Sequence, residues 1–231
     1  MVQYDPLPYL PSSTELPDSD DTPVDNELQN LVPNLLRAIL AFIWQERTDW
    51  FFGVNMGIYY MTDRVRQTPI VPDGFLSLGV ERRKSARGRL SYVLWEENYI
   101  APILALEVVS QTYGGEYDEK PIKYASLGVL YYVVYNPEYN RRDKHEPFEA
   151  YRLVDGQYVR CSGEPVWMPE IGLGIGRGRG TYEGWARDWL YWYDSEGNRF
   201  STPEEQAEQA EQQLNSLIAK LRQKGIDPDT L

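Results

Sequence analysis

Two isolated carboxylates and a lysine are the residues of this chain whose types and spacing could do chemistry. Glu107 is the only charge in the apolar run from Ile103 to Val109, and an unpaired carboxylate inside a sheet is costly, so a cation is its natural partner. Asp73 is a second lone acid, in the sequence IVPDGFLSLGV, and Lys120 lies on the helix predicted to follow Glu107. Two carboxylates suit Mg²⁺, so the three residues suggest a metal-dependent site that cuts phosphodiester bonds.

Each of these residues also has a purely structural interpretation. Asp73 stands in the sequence Pro-Asp-Gly, which is a common turn signal. Lys120 could be a solvated helix residue, and Lys123 lies three positions later on much the same helical face, so the choice between the two lysines stays open. Glu107 is the hardest to explain structurally, because its neighbours Leu106 and Val108 are both apolar.

Composition excludes several classes of protein. The 231 residues, 42% of them hydrophobic, can bury a core of their own. The single cysteine, Cys161, excludes an internal disulfide framework and a cysteine-rich zinc site, and the single histidine, His145, excludes chemistry built on two histidines. The first residues carry no base and no apolar core of a secretory signal. The longest apolar helix candidate, Leu31 to Trp44, is too short to span a bilayer. We therefore expect a soluble, cytoplasmic protein.

The net charge of −12 argues at first sight against a nucleic-acid partner. Residues 1–27 account for −7 and residues 201–231 for −3, which leaves −2 for the residues between them. That middle part holds two basic clusters: Arg82, Arg83, Lys84, Arg87 and Arg89, and then Arg141, Arg142 and Lys144. Such runs are usually solvated loops, so they remove the objection to a nucleic-acid partner without supporting one.

Apolar spacing and turn signals predict the order helix, strand, strand, strand, helix, strand. The Thr22–Asp25 segment reads as a cap for the first helix, and Pro33 as the point where that helix kinks or splits. Asp118 should cap the second helix and Gly128 should end it. The predicted segments are Leu28–Ile43, Phe51–Met61, Ile70–Val80, Leu90–Glu96, Ile103–Val109, a helix between Asp118 and Gly128, and Leu130–Tyr135.

The second half of the chain carries weaker signals. Phe148–Leu153 and Gln157–Cys161 flank a Val-Asp-Gly turn and predict a β-hairpin. The glycines from Gly172 to Gly180 match neither dinucleotide-binding nor P-loop spacing, so we expect an irregular strand or turn there.

Three segments are expected from these patterns. Residues 1–22 form a disordered acidic tail, residues 23–200 form one domain, and residues 201–231 form an amphipathic helix. The helix begins near Pro203 and carries a short apolar seam, a row of leucines along one face: Leu214, Leu217 and Leu221. A seam of this length predicts either packing against the domain or pairing of two chains in a homodimer through a short coiled coil.

The segments VPD, LALEVVS and DEKPIKYASLGVLYYVVYNPE resemble the Uma-type family of putative restriction endonucleases, which is abundant in cyanobacteria and belongs to the PD-(D/E)XK nuclease superfamily. The resemblance covers roughly residues 25–185. It implies an α/β fold of the mixed α+β kind, in which helices flank a central mixed sheet in a restriction-endonuclease-like core. It also implies Mg²⁺ or Mn²⁺ as cofactor and DNA as partner.

Carried over to this chain, the resemblance makes Asp73 the motif aspartate and Glu107 the second acid. The superfamily pattern expects a lysine two residues after the second acid, where this chain has Val109. The family lysine lies instead on the next helix, four residues before Tyr124, which gives Lys120. Two further residues match weakly, Glu27 as an early polar residue of the first helix and Ser110 as a residue that shapes the end of the strand.

The sequence therefore predicts a Mg²⁺-dependent endonuclease, a hydrolase that cuts DNA. A non-catalytic nucleic-acid- or protein-binding module with the same fold is the alternative, although such a module would be expected to lose an acid and this chain keeps both. Glycoside hydrolysis by paired carboxylates would leave the lysine unexplained.

Overall fold

The computed structural model describes residues 26–60 and 69–224. These residues form four α-helices: α1 (Glu27–Ile43), α2 (Glu119–Leu127), α3 (Asn140–Asp143) and α4 (Pro203–Gln223). A short 3₁₀ helix covers Leu94–Glu97. The strands are β1 (Trp50–Val54), β2 (Ile58–Tyr59), β3 (Gly74–Leu78), β4 (Tyr92–Val93), β5 (Leu104–Val108), β6 (Tyr131–Tyr135), β7 (Phe148–Val154), β8 (Gln157–Arg160), β9 (Val166–Met168), β10 (Leu173–Tyr182) and β11 (Trp185–Tyr193).

A six-stranded mixed sheet forms the centre of the fold, in the order β1-β3-β5-β6-β7-β8. β5 and β6 are parallel and the other neighbours are antiparallel. Every residue of β5 and β6 is buried, which explains why both read as continuous apolar runs in the sequence. Parallel neighbours need a crossover, and α2 provides it. The mixed α+β architecture predicted from the sequence is confirmed.

Different elements cover the two faces of this sheet. α1 and the three-stranded sheet β11-β10-β9 enclose the larger core, which includes Leu106, Val108 and Trp192. The other face carries α2, whose Tyr124 packs in a second cluster with Tyr132. Glu107 follows the alternation along β5 and therefore lies on the α2 face.

α1 is a single helix that runs through Pro33 without a break, so the predicted kink or split is not observed. Proline removes one helical hydrogen bond, but Val32 and Leu36 on either side of it are fully buried and hold the helix in place. Asn26 caps α1 in a reciprocal capping box with Gln29. The cap predicted at residues 22–25 lies outside the described residues.

The glycine-rich segment forms a regular ten-residue strand, β10, and not an irregular one. A Cβ added to Gly180 would lie 2.1 Å from the hydroxyl oxygen of Tyr191, and one added to Gly178 would lie 3.0 Å from the Tyr191 ring. Glycine is therefore required because the side chain of Tyr191, on β11, crosses the backbone of β10.

α4 begins at Pro203, as predicted, and a capping box formed by Thr202 and Glu205 starts it. No residue of α4 is buried, and Leu214 and Leu217 are more than half exposed. The seam is thus not packed against the domain through these two leucines. Pairing with a second chain, and the boundaries of the three predicted segments, stay predictions; residues 1–22 lie outside the described part of the chain. Within the described residues, no helix has both the length and the apolar composition needed to cross a bilayer.

Candidate active site

The two lone acids lie at the same end of neighbouring strands. Asp73 immediately precedes β3, which is the antiparallel neighbour of β5. Gly74 is paired with Leu106, so the next pair in the same register is Asp73 with Glu107. Residues that are directly opposite in an antiparallel pair point to the same face of the sheet. The Oδ2 atom of Asp73 accepts a hydrogen bond of 2.5 Å from the main-chain N–H of Val108. The register thus places the two acids opposite each other at one end of the sheet.

The first turn of α1 reaches the carboxylate of Asp73. Gln29 donates from Nε2 to Oδ1 of Asp73 over 3.3 Å, while its Oε1 accepts the N–H of Asn26 in the helix cap. A Cβ on Gly74 would lie 2.9 Å from the Cβ of Pro33, so a glycine at this position lets α1 approach the start of β3 closely. Glu27, the polar residue predicted for this part of α1, is exposed and is not joined to Asp73.

Glu107 is almost completely buried, and both of its oxygens are hydrogen-bonded. Its Oε2 accepts from Nζ of Lys120 over 2.8 Å, and its Oε1 accepts from the hydroxyl of Tyr124 over 2.6 Å. Both donors come from α2, where residues four apart lie on one face of the helix. Tyr124 is a site residue that the sequence analysis used only for counting positions. Its spacing from Lys120 is the signal that could have identified it.

The electrostatics of the site follow from burial and from this cluster of charges. Burial raises the pKa of Glu107, and the contacts with Lys120 and Tyr124 only partly offset that rise. Burial by itself would lower the pKa of Lys120, but the charges of Glu107, Asp73 and Glu116 hold that pKa above its usual value. Burial and the charge of Glu107 raise the pKa of Tyr124 well above its usual value. Lys120 is therefore an ammonium ion at neutral pH, and Tyr124 is a neutral hydroxyl that donates.

Glu116 is a third carboxylate of the site, which the sequence analysis did not single out. It is buried, its Oε1 lies 3.9 Å from Nζ of Lys120, and its Oε2 accepts the N–H of Gly114 over 2.9 Å. A Cβ on Gly114 would lie 2.7 Å from Oε1 of Glu116, so any larger residue there would displace the Glu116 carboxylate. The spacing of four between Glu116 and Lys120 is the signal that could have revealed this pair.

The remaining candidates lie outside this cluster. Nζ of Lys123 is 3.7 Å from Glu119, and the Lys123 side chain is 51% exposed. The structure thus brings Lys120 to Glu107 and leaves Lys123 at the surface. Ser110 donates from Oγ to the carbonyl oxygen of Thr112 over 3.0 Å, which fits its predicted part in shaping the end of the strand.

The donor set of the site fits a hard divalent cation that keeps much of its water. Asp73 and Glu107 offer carboxylate oxygens, and Mg²⁺ is typically bound by one or two carboxylates together with waters. Among the described residues, no three or more His, Cys, Asp or Glu side chains are grouped closely enough to hold a metal ion between them. Lys120 and Tyr124 each donate to a different oxygen of Glu107, so each oxygen keeps a lone pair that a cation could accept.

A mixed sheet flanked by helices, with two acids and a lysine at one end of its central strands, defines a protein with a restriction-endonuclease-like fold. The chain belongs to the Uma2 family, described as "Putative restriction endonuclease", whose model matches residues 19–178. This match confirms the family predicted from the sequence segments, and it indicates a nuclease. A source in cyanobacteria stays an expectation from the resemblance. No curated protein and no solved structure matches the chain.

Proposed function

We propose that this chain is an endonuclease that depends on Mg²⁺ or Mn²⁺ and hydrolyses the phosphodiester bonds of DNA, with Asp73, Glu107 and Lys120 as its catalytic residues. One observation carries the proposal. The ammonium of Lys120 lies 2.8 Å from Oε2 of Glu107, although Lys120 starts from α2 and the usual strand position is taken by Val109. The displaced lysine therefore reaches the acid that it would assist.

Asp73 and Glu107 would hold the cation, with a main-chain carbonyl oxygen and waters as further ligands. When bound, the cation supplies an activated water and offsets the charge that builds on the oxygens of the phosphate. Gln29 donates to Asp73 and Tyr124 donates to Glu107, so each ligand carboxylate has a neighbour that fixes its orientation.

Lys120 serves as an electrostatic donor in this proposal. Although burial acts in the opposite direction, the surrounding carboxylates raise its pKa, so it keeps its proton near neutral pH and is poorly suited to act as a general base. An ammonium between Glu107 and Glu116 can orient the attacking water or stabilise negative charge on the phosphate as that charge develops. Its long side chain accounts for the reach from α2 to the end of β5.

Nicking of supercoiled plasmid DNA tests the proposal. The parent protein should nick the plasmid with Mn²⁺ or Mg²⁺ and should be inactive with EDTA. Glu107→Gln should lower the rate by at least about 10²-fold, because it removes a charged ligand. Glu119→Gln is the matched control, since Glu119 is an acid of α2 whose side chain is 77% exposed.

Two results would contradict the proposal. One is a folded parent protein that leaves plasmid intact with either metal, which would favour a binding module with this fold. The other is equal nicking by the parent and by Glu107→Gln, which would point to a contaminating nuclease.

A further inference from the structure

A groove lined by cations lies beside the candidate site. It runs between α1, β1 and the loop of residues 82–89, and its volume is about 680 Å³. We call it the basic groove. Its basic lining residues are Arg37, Arg82, Arg83, Lys84 and Arg89, and its only acidic lining residue among those described is Glu183.

Most of the positive charge in the basic groove has no carboxylate partner among the described residues. Lys84 and Arg89 share one carboxylate, Glu97, at 3.0 and 2.9 Å. Among the ion pairs of the described residues, none includes Arg37, Arg82 or Arg83. Five cations thus face two carboxylates, in a chain whose net charge is −12. A local excess of this sign attracts an anion.

The guanidinium groups of the groove are held close enough to repel one another. The guanidinium carbon of Arg82 lies 3.8 Å from the centre of the Trp50 ring, which fixes the side chain in the groove. Burial lowers the pKa of Arg82, and the like charges of Arg83, Arg37 and Arg89 lower it further. An anion in the groove would relieve this repulsion.

The basic groove starts next to the candidate site. Asn30 and Val54 line one end; Asn30 follows Gln29, which donates to Asp73, and Val54 pairs with the glycine that follows Asp73. Arg37 lies eight residues along α1 from Gln29, which corresponds to about 12 Å. The axis of a DNA duplex advances about 3.4 Å per base pair, so this length spans about three to four base pairs.

We propose that the basic groove binds the sugar–phosphate backbone of DNA on one side of the bond that is cut. This inference rests on the proposed function, and it names the surface that holds the substrate. Arginine contacts to phosphate position the duplex but do not read its bases. Binding through the groove should therefore be independent of sequence and strongly dependent on salt.

The test uses Arg37→Ala combined with Arg83→Ala in the full chain. Both side chains are exposed and make none of the hydrogen bonds or ion pairs of the described residues, so the fold should be kept. The control is Arg141→Ala combined with Arg179→Ala, which removes the same charge from exposed positions outside the groove. Fluorescence anisotropy would follow binding to a short labelled DNA duplex in EDTA, over a series of KCl concentrations.

The slope of log affinity against log salt should fall by about 2 in the groove variant, because two phosphate contacts are lost. The control should keep the slope of the parent. Equal slopes and affinities for the groove variant and the parent would overturn the inference, and so would a parent that does not bind the duplex.

The binding test is separate from the test of hydrolysis, because EDTA removes the metal. If the parent nicks no plasmid but the groove variant binds DNA more weakly than the parent, the groove is supported and the proposed hydrolysis is refuted. If the parent nicks plasmid but the groove variant binds DNA as tightly as the parent, the proposed hydrolysis is supported and the groove is refuted.

Discussion

Replacing Lys120 by alanine removes the positive charge from a buried carboxylate. The Glu107 side chain is 1% exposed and that of Lys120 is 25% exposed. Removing one partner of a fully buried ion pair costs about 3–5 kcal/mol. Because Lys120 is partly solvated and Glu107 can take up a proton, we expect a smaller loss, about 2–3 kcal/mol near neutral pH. For a chain of this size that corresponds to a fall in Tm of about 4–12 °C.

The loss of stability in Lys120→Ala should depend on pH in a defined direction. Burial raises the pKa of Glu107 above its ordinary value of 4.5, and removing the ammonium should raise it further. A group whose folded pKa is raised binds its proton more tightly in the folded state. Its stabilising effect is complete below the unfolded pKa and is lost as pH rises through the folded pKa. The Tm deficit relative to the parent should therefore be larger at about pH 8 than at about pH 5.

Hydrolysis provides the second assay for Lys120→Ala. The rate of plasmid nicking should fall by about 10²–10³, the usual loss for one positioned electrostatic donor, while Mn²⁺ binding is kept. Lys123→Ala is the matched control, because Lys123 is half exposed and lies 3.7 Å from Glu119; its stability should stay within about 0.5 kcal/mol of the parent. If Lys123→Ala is the inactive variant, or if Lys120→Ala changes neither stability nor rate, the role given to Lys120 is wrong.

Three other perturbations have expected outcomes. Although burial opposes it, the contact with Arg89 lowers the pKa of Glu97, so Glu97 stabilises the fold above its unfolded pKa and this effect is lost as pH falls through the folded pKa. In thermal melts, Glu97→Gln should lose about 1–2 kcal/mol of unfolding free energy relative to the parent near neutral pH, and this difference should disappear in acid. A difference that does not change with pH would contradict this. Leu214→Asp with Leu221→Asp should convert a dimer to a monomer in sedimentation, and a monomeric parent would refute pairing through α4. Gln29→Ala should weaken Mn²⁺ binding by about 10-fold in calorimetry, and unchanged affinity would remove Gln29 from the site.

The segment from β5 to β6 was predictable because its signals are local. A lone acid in an apolar run marked Glu107, an aspartate marked the start of α2, and a glycine marked its end. The structure shows Asp118 as the N-cap of α2 and Gly128 in the left-handed conformation at φ 77°. Lys120 was within reach of prediction because it lies on this same helix.

The contacts that depend on distant parts of the chain were not predictable. Gln29 meets Asp73 across 44 positions, because α1 packs against the start of β3. The sheet of β9, β10 and β11 was not predicted, because a run of glycines is untypical of a strand. These glycines leave room for the side chain of Tyr191, which lies on the neighbouring strand β11. The basic cluster of the loop after β3 was visible in the sequence, but its position beside Arg37 of α1 depends on the fold.

The central claim is that Asp73 and Glu107 together hold one divalent cation. Isothermal titration calorimetry of Mn²⁺ into the metal-free protein tests it most directly, with Asp73→Asn as the test variant and Glu119→Gln as the exposed control. We predict one site per chain in the parent and in the control, and no measurable binding in Asp73→Asn. Parent-like binding by a folded Asp73→Asn, or a folded parent that takes up no Mn²⁺, would contradict the claim.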